Sequence, residues 1–208
     1  GKYVLPKLLA AFKKRHPQVQ ATLLSMEDEQ LLKGILDREI DFGVVTDRPC
    51  ERTFDVRWLL GDELVAIVPH KHELGKRATV GLAEFFQMPL VLQREGMSIS
   101  PLLRAALTDR GLSLDALNVV LEVDSVEAAE VAVEVGAGVA LVPRRAARRF
   151  AGRVRTLETD EPLRRDLYLI CRRRTVQNPA QQRFAEFLDS PEGKRILGIA
   201  QKDNADSH

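Results

Sequence analysis

Leu5, Leu8, Leu9 and Phe12 recur at i, i+3, i+4 and i+7, the apolar stripe of a helix predicted over residues 3–15. Lys13, Lys14, Arg15 and His16 crowd its last turn, where positive charge suits the helix dipole, and Pro17 stops it. Val19–Leu24 reads as a short strand. Glu27, Asp28 and Glu29 mark a second helix start, with Leu31, Leu32, Ile35 and Leu36 as its buried stripe. Phe42–Val45 is a short apolar strand. Val56–Val68 is one long strand or two, broken near Gly61-Asp62.

The second half alternates in the same way. A short helix is predicted over 81–86 and a strand over 89–92. A helix capped by Ser98 or Ser100 ends at Gly111. A strand at 119–123 leads into a helix capped by Ser125 and closed by Gly136, and then a buried strand at 139–142. A short Arg-rich helix over 143–150, strands at 154–157 and 163–171, and a last helix opened by Asn178-Pro179 complete the pattern before a polar tail. Strands alternating with helices imply an α/β fold with doubly wound parallel sheets. In such sheets ligands bind beyond the carboxyl ends of the strands, against helix N-termini.

The helix at 125–135 has an apolar surplus. Val126, Ala129 and Val133 make one face; Ala128, Val131, Ala132 and Val135 make another; only Glu127, Glu130 and Glu134 are polar. One face can pack on a sheet. The second fits a partner subunit, with deep burial inside one chain as the rival explanation.

Composition narrows the chemistry. The 208 residues are 45% hydrophobic and 29% charged, with a formal net charge of +1, so there is no global pull toward nucleic acid. Charge is uneven: residues 144–174 hold eleven arginines against four acids. Few aromatics interrupt them, and a solvated surface is the simpler reading. Cys50 and Cys171 stand apart with no CxxC, which suits a reducing, cytoplasmic setting. No apolar stretch is long enough to span a membrane. Gly136-Ala137-Gly138 follows a helix and precedes a strand, the reverse of a dinucleotide loop. His70 and His72 have no third ligand nearby, so neither metal nor cofactor is expected. No nucleophile–base pair can be assembled, so the chain does not read as an enzyme. What stands out are three polar helix starts, Ser25–Asp28, Met97–Ser100 and Asp124-Ser125, which would offer backbone N–H groups to a small anion.

Four stretches in register resemble the effector-binding domain of LysR-type transcriptional regulators. These are Leu5-Pro6 through Val19, Leu31-Leu32 through Val45, Leu59–Pro69 with His72-Glu73-Leu74, and Ser125–Pro143. The resemblance covers residues 1 to about 190. It implies two Rossmann-like lobes of the type II periplasmic-binding-protein kind, 1–68 with 163–208 and 69–162. The effector, expected to be a small organic or inorganic anion, would lie in the cleft between them. Contacts implied by the resemblance, together with the polar starts above, are Ser25, Met26, Asp28, Thr46, Met97, Ser98, Ile99, Ser100 and Ser125. It further implies a homodimer through the opening helix, at Leu9, and the helix at 125–135, at Val131 and Val135, with a tetramer in the full-length protein. DNA would be reached only through a winged helix-turn-helix domain that this sequence lacks. The family's first lobe-one strand is lacking too. Glu73 stands where the family has Pro, and no Arg opens the helix near Ser100. The alternative reading is a periplasmic solute-binding protein of the same fold.

Overall fold

The computed structural model describes residues 3–94, 100–173 and 178–199. The chain divides into two compact units, Gly1–Leu60 with Asp166–His208, and Gly61–Arg165. Unit 1 begins with helices α1 (Leu5–Arg15) and α2 (Asp28–Leu36) and strand β1 (Gly43–Val45). Strand β2 (Phe54–Pro69) carries the chain into unit 2. Unit 2 holds β3 (Thr79–Val80), α3 (Leu82–Phe85), β4 (Leu90–Gln93), α4 (Ser100–Thr108), β5 (Val119–Val123), α5 (Val126–Glu134), β6 (Ala140–Pro143), α6 (Arg144–Ala147) and β7 (Val154–Thr159). Strand β8 (Leu163–Arg172) returns to unit 1, which closes with α7 (Pro179–Asp189) and α8 (Pro191–Leu197). The change of unit falls inside β2, at Leu60/Gly61, and inside β8, at Arg165/Asp166, against the expected 68/69 and 162/163.

In unit 1, β1 pairs antiparallel with β8, Val44 opposite Leu169. Leu8 and Phe12 of α1 pack with Phe184, Phe187 and Leu188 of α7, so the predicted stripe is the buried face. Ile35, Val45, Phe54 and Ile170 form a smaller cluster under α2. Asn178 and Gln181 form a reciprocal capping box that starts α7. Gly193 of α8 lies where a Cβ would stand 2.2 Å from the Phe187 carbonyl, and its absence lets α8 fold back on α7.

In unit 2, β2 is buried on both faces. Leu64, Ala66 and Val68 join the cluster under α3 and α4, while Val65 and Ile67 join the one under α5 and α6. Burial on both faces is why this stretch reads as an unbroken apolar run without alternation. β6 and β7 pair antiparallel with β2; β3 pairs parallel with β7, and β4 parallel with β5. The six-stranded sheet is therefore mixed, because the two long strands that change unit bring antiparallel ladders with them, while the β4–β5 sheet is parallel. Gly136, with φ +87°, closes α5, and its N–H donates to the Val133 carbonyl at 3.0 Å. At Gly138 a Cβ would meet the Pro89 carbonyl at 2.5 Å, so glycine is what lets the entry to β6 lie against β4.

Several local expectations are corrected. Val19–Leu24 forms no strand: no neighbouring segment supplies a ladder among the described residues, and Leu23 and Leu24 are exposed. Of the two readings of 56–68, the single long strand holds: β2 runs unbroken through Gly61-Asp62. The Arg-rich helix ends at Ala147 and tightens into a 3-10 turn over Arg148–Phe150. The last helix is two helices, split where Ser190 caps α8.

Candidate functional site

The polar starts differ in how their donors are used. At α5, Ser125 is the N-cap, and its Oγ accepts from the Ala128 N–H at 3.2 Å. That satisfies one of the unpaired donors of the first turn and leaves the hydroxyl hydrogen to donate elsewhere. At α2 the N-cap is Glu27, and no side chain caps the turn. Ser25 is exposed, Met26 and Asp28 are half-buried, and Asp28 is the first helical residue. Met26 lines an open depression of about 380 Å³ with Leu24, Gln30, Lys33 and Ile40.

Thr46 follows β1 directly and is half-buried. The end of β1 and the start of α2 lie close enough to interact. Burial first, then the neighbouring Asp47 carboxylate, pushes the Asp28 carboxyl above its ordinary value. Asp28 therefore lies within electrostatic reach of Asp47, the residue that follows Thr46. Met97, Ser98 and Ile99 lie outside the described residues. Ser100 opens α4, and its side chain is likewise outside the description.

Two polar groups were missed in the sequence. Gln93 ends β4, and its Nε2 is buried with no hydrogen-bond partner among the described residues. It shares the face of β4 that carries Val91, which packs beneath α5. A polar residue two places after a buried valine, at a strand's carboxyl end, was the available signal. Glu130 is the second: it is fully buried on α5, at helical spacing from Val126 and Val133.

The residues named for self-association differ as well. Leu9 is half-buried against its own unit's core. Val131 and Val135 are 49% and 76% exposed, while Ala129, Ala132 and Val133 are buried, so α5 has a packed face and an open apolar edge. Val119, Val120 and Leu121 of β5 are exposed too.

The Arg-rich stretch is largely committed to contacts within the chain. Arg144 pairs with Glu63 at 3.0 Å and with Glu158, whose carboxyl it holds below its ordinary value by hydrogen bonding. Arg165 pairs with Asp62 at 3.8 Å, Arg153 with Glu134 at 3.7 Å, and Arg172 donates to the Leu36 carbonyl at 3.0 Å. Among the described residues no group of three or more His, Cys, Asp or Glu could hold a metal, and no helix is long and apolar enough to cross a membrane.

A two-unit α/β chain with polar turns at strand ends is the architecture of periplasmic-binding-protein-like ligand domains. The model of the LysR substrate binding domain matches residues 1–190, and the chain belongs to that family. Its relatives are regulators of transcription, a non-enzymatic family. It is 30% identical over 207 residues to the HTH-type transcriptional regulator CbbR of Rhizobium meliloti (strain 1021), covering 97% of this chain and 64% of that protein. It is 26% identical over 147 residues to a probable RuBisCO transcriptional regulator of Trieres chinensis, covering 68% of this chain and 48% of that protein. The chain thus spans about half to two thirds of the relatives it matches. Among solved structures, the Synechocystis PCC6803 CcmR regulatory domain in complex with 2-PG superposes with a TM-score of 0.78 at 20% identity, over 98% of this chain and 94% of that one. The effector binding domain of QuiR in complex with shikimate gives 0.76 at 19% identity, over 90% and 89%. At those identities the likeness is one of fold.

Proposed function

We propose that the chain is the ligand-sensing domain of a transcriptional regulator and that its effector is a small anion held by polar turns at the carboxyl ends of the strands. The observation that carries the reading is the buried Gln93 Nε2, a donor without an acceptor among the described residues, at the end of β4. A buried donor left unpaired costs about 1–3 kcal/mol, which a ligand oxygen would recover. Ser98 and Ser100 follow in the sequence, and Ser125 keeps a hydroxyl hydrogen to give. In unit 1 the uncapped α2 start supplies backbone N–H donors, with Ser25, Met26 and Thr46 beside it. Asp28 and Asp47 bring negative charge to that turn, so the fitting ligand is a mono-anion or a polar acid with hydroxyls, not a phosphate-rich molecule.

The open apolar edge of α5 supports the second part of the reading, a homodimer in which Val131 and Val135 meet the opening helix of another copy near Leu9. The full-length protein would be a tetramer, cytoplasmic, with an N-terminal helix-turn-helix carrying the ligand's effect to DNA. Two solved structures of the same fold, in complex with 2-PG and with shikimate, support the choice of a small-molecule ligand.

Calorimetry with small carboxylates, 2-PG, shikimate, sulfate and thiosulfate tests the proposal. The expected binder has a Kd of about 10 μM, corresponding to roughly 7 kcal/mol. Ser98→Ala and Gln93→Leu should each weaken it by about 1–3 kcal/mol. A ligand that binds wild type and both variants equally, with Ser25→Ala and Thr46→Val also silent, places the site elsewhere.

A further inference from the structure

Glu130 is buried at 0% exposure, and neither carboxyl oxygen has a hydrogen-bond partner among the described residues. An ionised carboxylate in that position would carry a large desolvation cost, so the group favours its neutral form. The elements packed against α5 offer little compensation. β4 and β6 carry no ionisable side chain. On β5, Glu122 is exposed. On β7, Glu158 is engaged by Arg144, and Arg155 packs over Gly75. On the α6 side, Arg144 is held by Glu63 and Glu158, Arg145 is half-buried with a partner of its own, and Arg148 is exposed. Arg149, exposed, favours the charged form, though less than burial and Glu127 oppose it. On α5 itself, Glu127 adds like charge, and Glu134 pairs with Arg153. The Glu130 carboxyl is pushed up to about 7, by burial first and by Glu127 second.

We infer that Glu130 is a proton-controlled latch: while it holds its proton α5 stays seated on β4 and β6, and loss of the proton drives the carboxylate toward water and loosens that seat. The helix it controls also carries Ser125 at its start and Val131 and Val135 on its open edge. On the ligand and dimer reading above, both functions would therefore respond to pH near neutrality.

The sign follows from the two proton affinities. The unfolded chain releases the Glu130 proton near the ordinary 4.5, the folded chain near 7. Between those values the folded state binds more protons, so stability falls as pH rises through the window and stays low above it. Thermal unfolding of the 208-residue chain from about pH 4 to about pH 8.5, compared with Glu130→Gln, reads this directly. Wild type should lose about 5 °C or more in Tm relative to the variant across that range, the two coinciding at the acid end. Amide hydrogen exchange, corrected for its intrinsic pH dependence, should show residues 126–134 losing protection as pH rises from about 4.5 to about 7 in wild type and keeping it in the variant. Parallel Tm profiles, or equal protection of α5 in both proteins, overturn the inference. A carbon-13 titration of the Glu130 carboxyl in wild type tests it with no variant at all: a midpoint near neutrality supports the latch, and one in the ordinary carboxylate range removes it.

Discussion

The starts of α2 and α5 are built from similar sequence and finished differently. Each follows a short apolar run, and each places a serine before the helix. Before α5 the run is β5, paired with β4 along its length, and Ser125 caps the helix. Before α2 the run at 19–24 has no ladder, Leu23 and Leu24 are exposed, and no side chain caps the turn. A hydroxyl near a helix start is therefore not one kind of feature. In unit 2 it is largely spent on the fold, and in unit 1 the donors are left for something else.

The largest change should come from disturbing the closed side at its backbone. Gly138→Ala puts a Cβ into the Pro89 carbonyl, which must shift, and should cost about 1–3 kcal/mol of stability or more. Denaturant unfolding checks it; unchanged stability would mean that β6 and β4 tolerate separation and that unit 2 is less closed than described. Next is the open edge of α5. Val131→Glu should leave the monomer's fold nearly unchanged, because the residue is half exposed, yet weaken a dimer by a few kcal/mol (about 2–3) if the charge is buried unpaired. Light scattering reads the mass. A folded variant with wild-type mass assigns the interface elsewhere, and an unfolded one makes Val131 part of the core.

The two serines give the direct contrast. Ser125→Ala should cost about 1 kcal/mol of stability through the lost cap, and Ser25→Ala should stay within about 0.5 kcal/mol. Equal effects would erase the distinction between the two turns. The smallest change expected is at Asp28. Its carboxyl is raised by burial and Asp47, so the folded state holds its proton to higher pH than the unfolded one, and the group's contribution declines as pH rises through that window. Asp28→Asn should flatten the stability profile there and leave the chain slightly more stable at neutral pH. A less stable variant would show that the Asp28 carboxylate makes a bond that outweighs its desolvation.

Much of this was legible in the sequence. The stripe of α1, the buried run of β2 and the glycine-closed end of α5 follow from periodicity and turn chemistry, and the family from motifs in register. The failures share a cause. Val19–Leu24 has the composition of a strand, but a strand exists only where a second segment pairs with it, and composition does not report the neighbour. Glu130 is polar and so falls outside both apolar faces read along α5, although its spacing from Val126 and Val133 places it on the packed side. Of the proposed ligand residues, Asp28 lies within electrostatic reach of Asp47, the residue after Thr46, while Gln93 emerged only once the face of β4 was known.

The central claim, a small-anion site built on strand-end turns, is tested most directly by following backbone amide shifts as a binding acid from the calorimetry panel is titrated in. The account predicts shifts at Asp28, Glu29 and Gln30, at Thr46, and at the Gln93 side-chain amide. Shifts confined to the arginines of 144–173, with those amides silent, would contradict it.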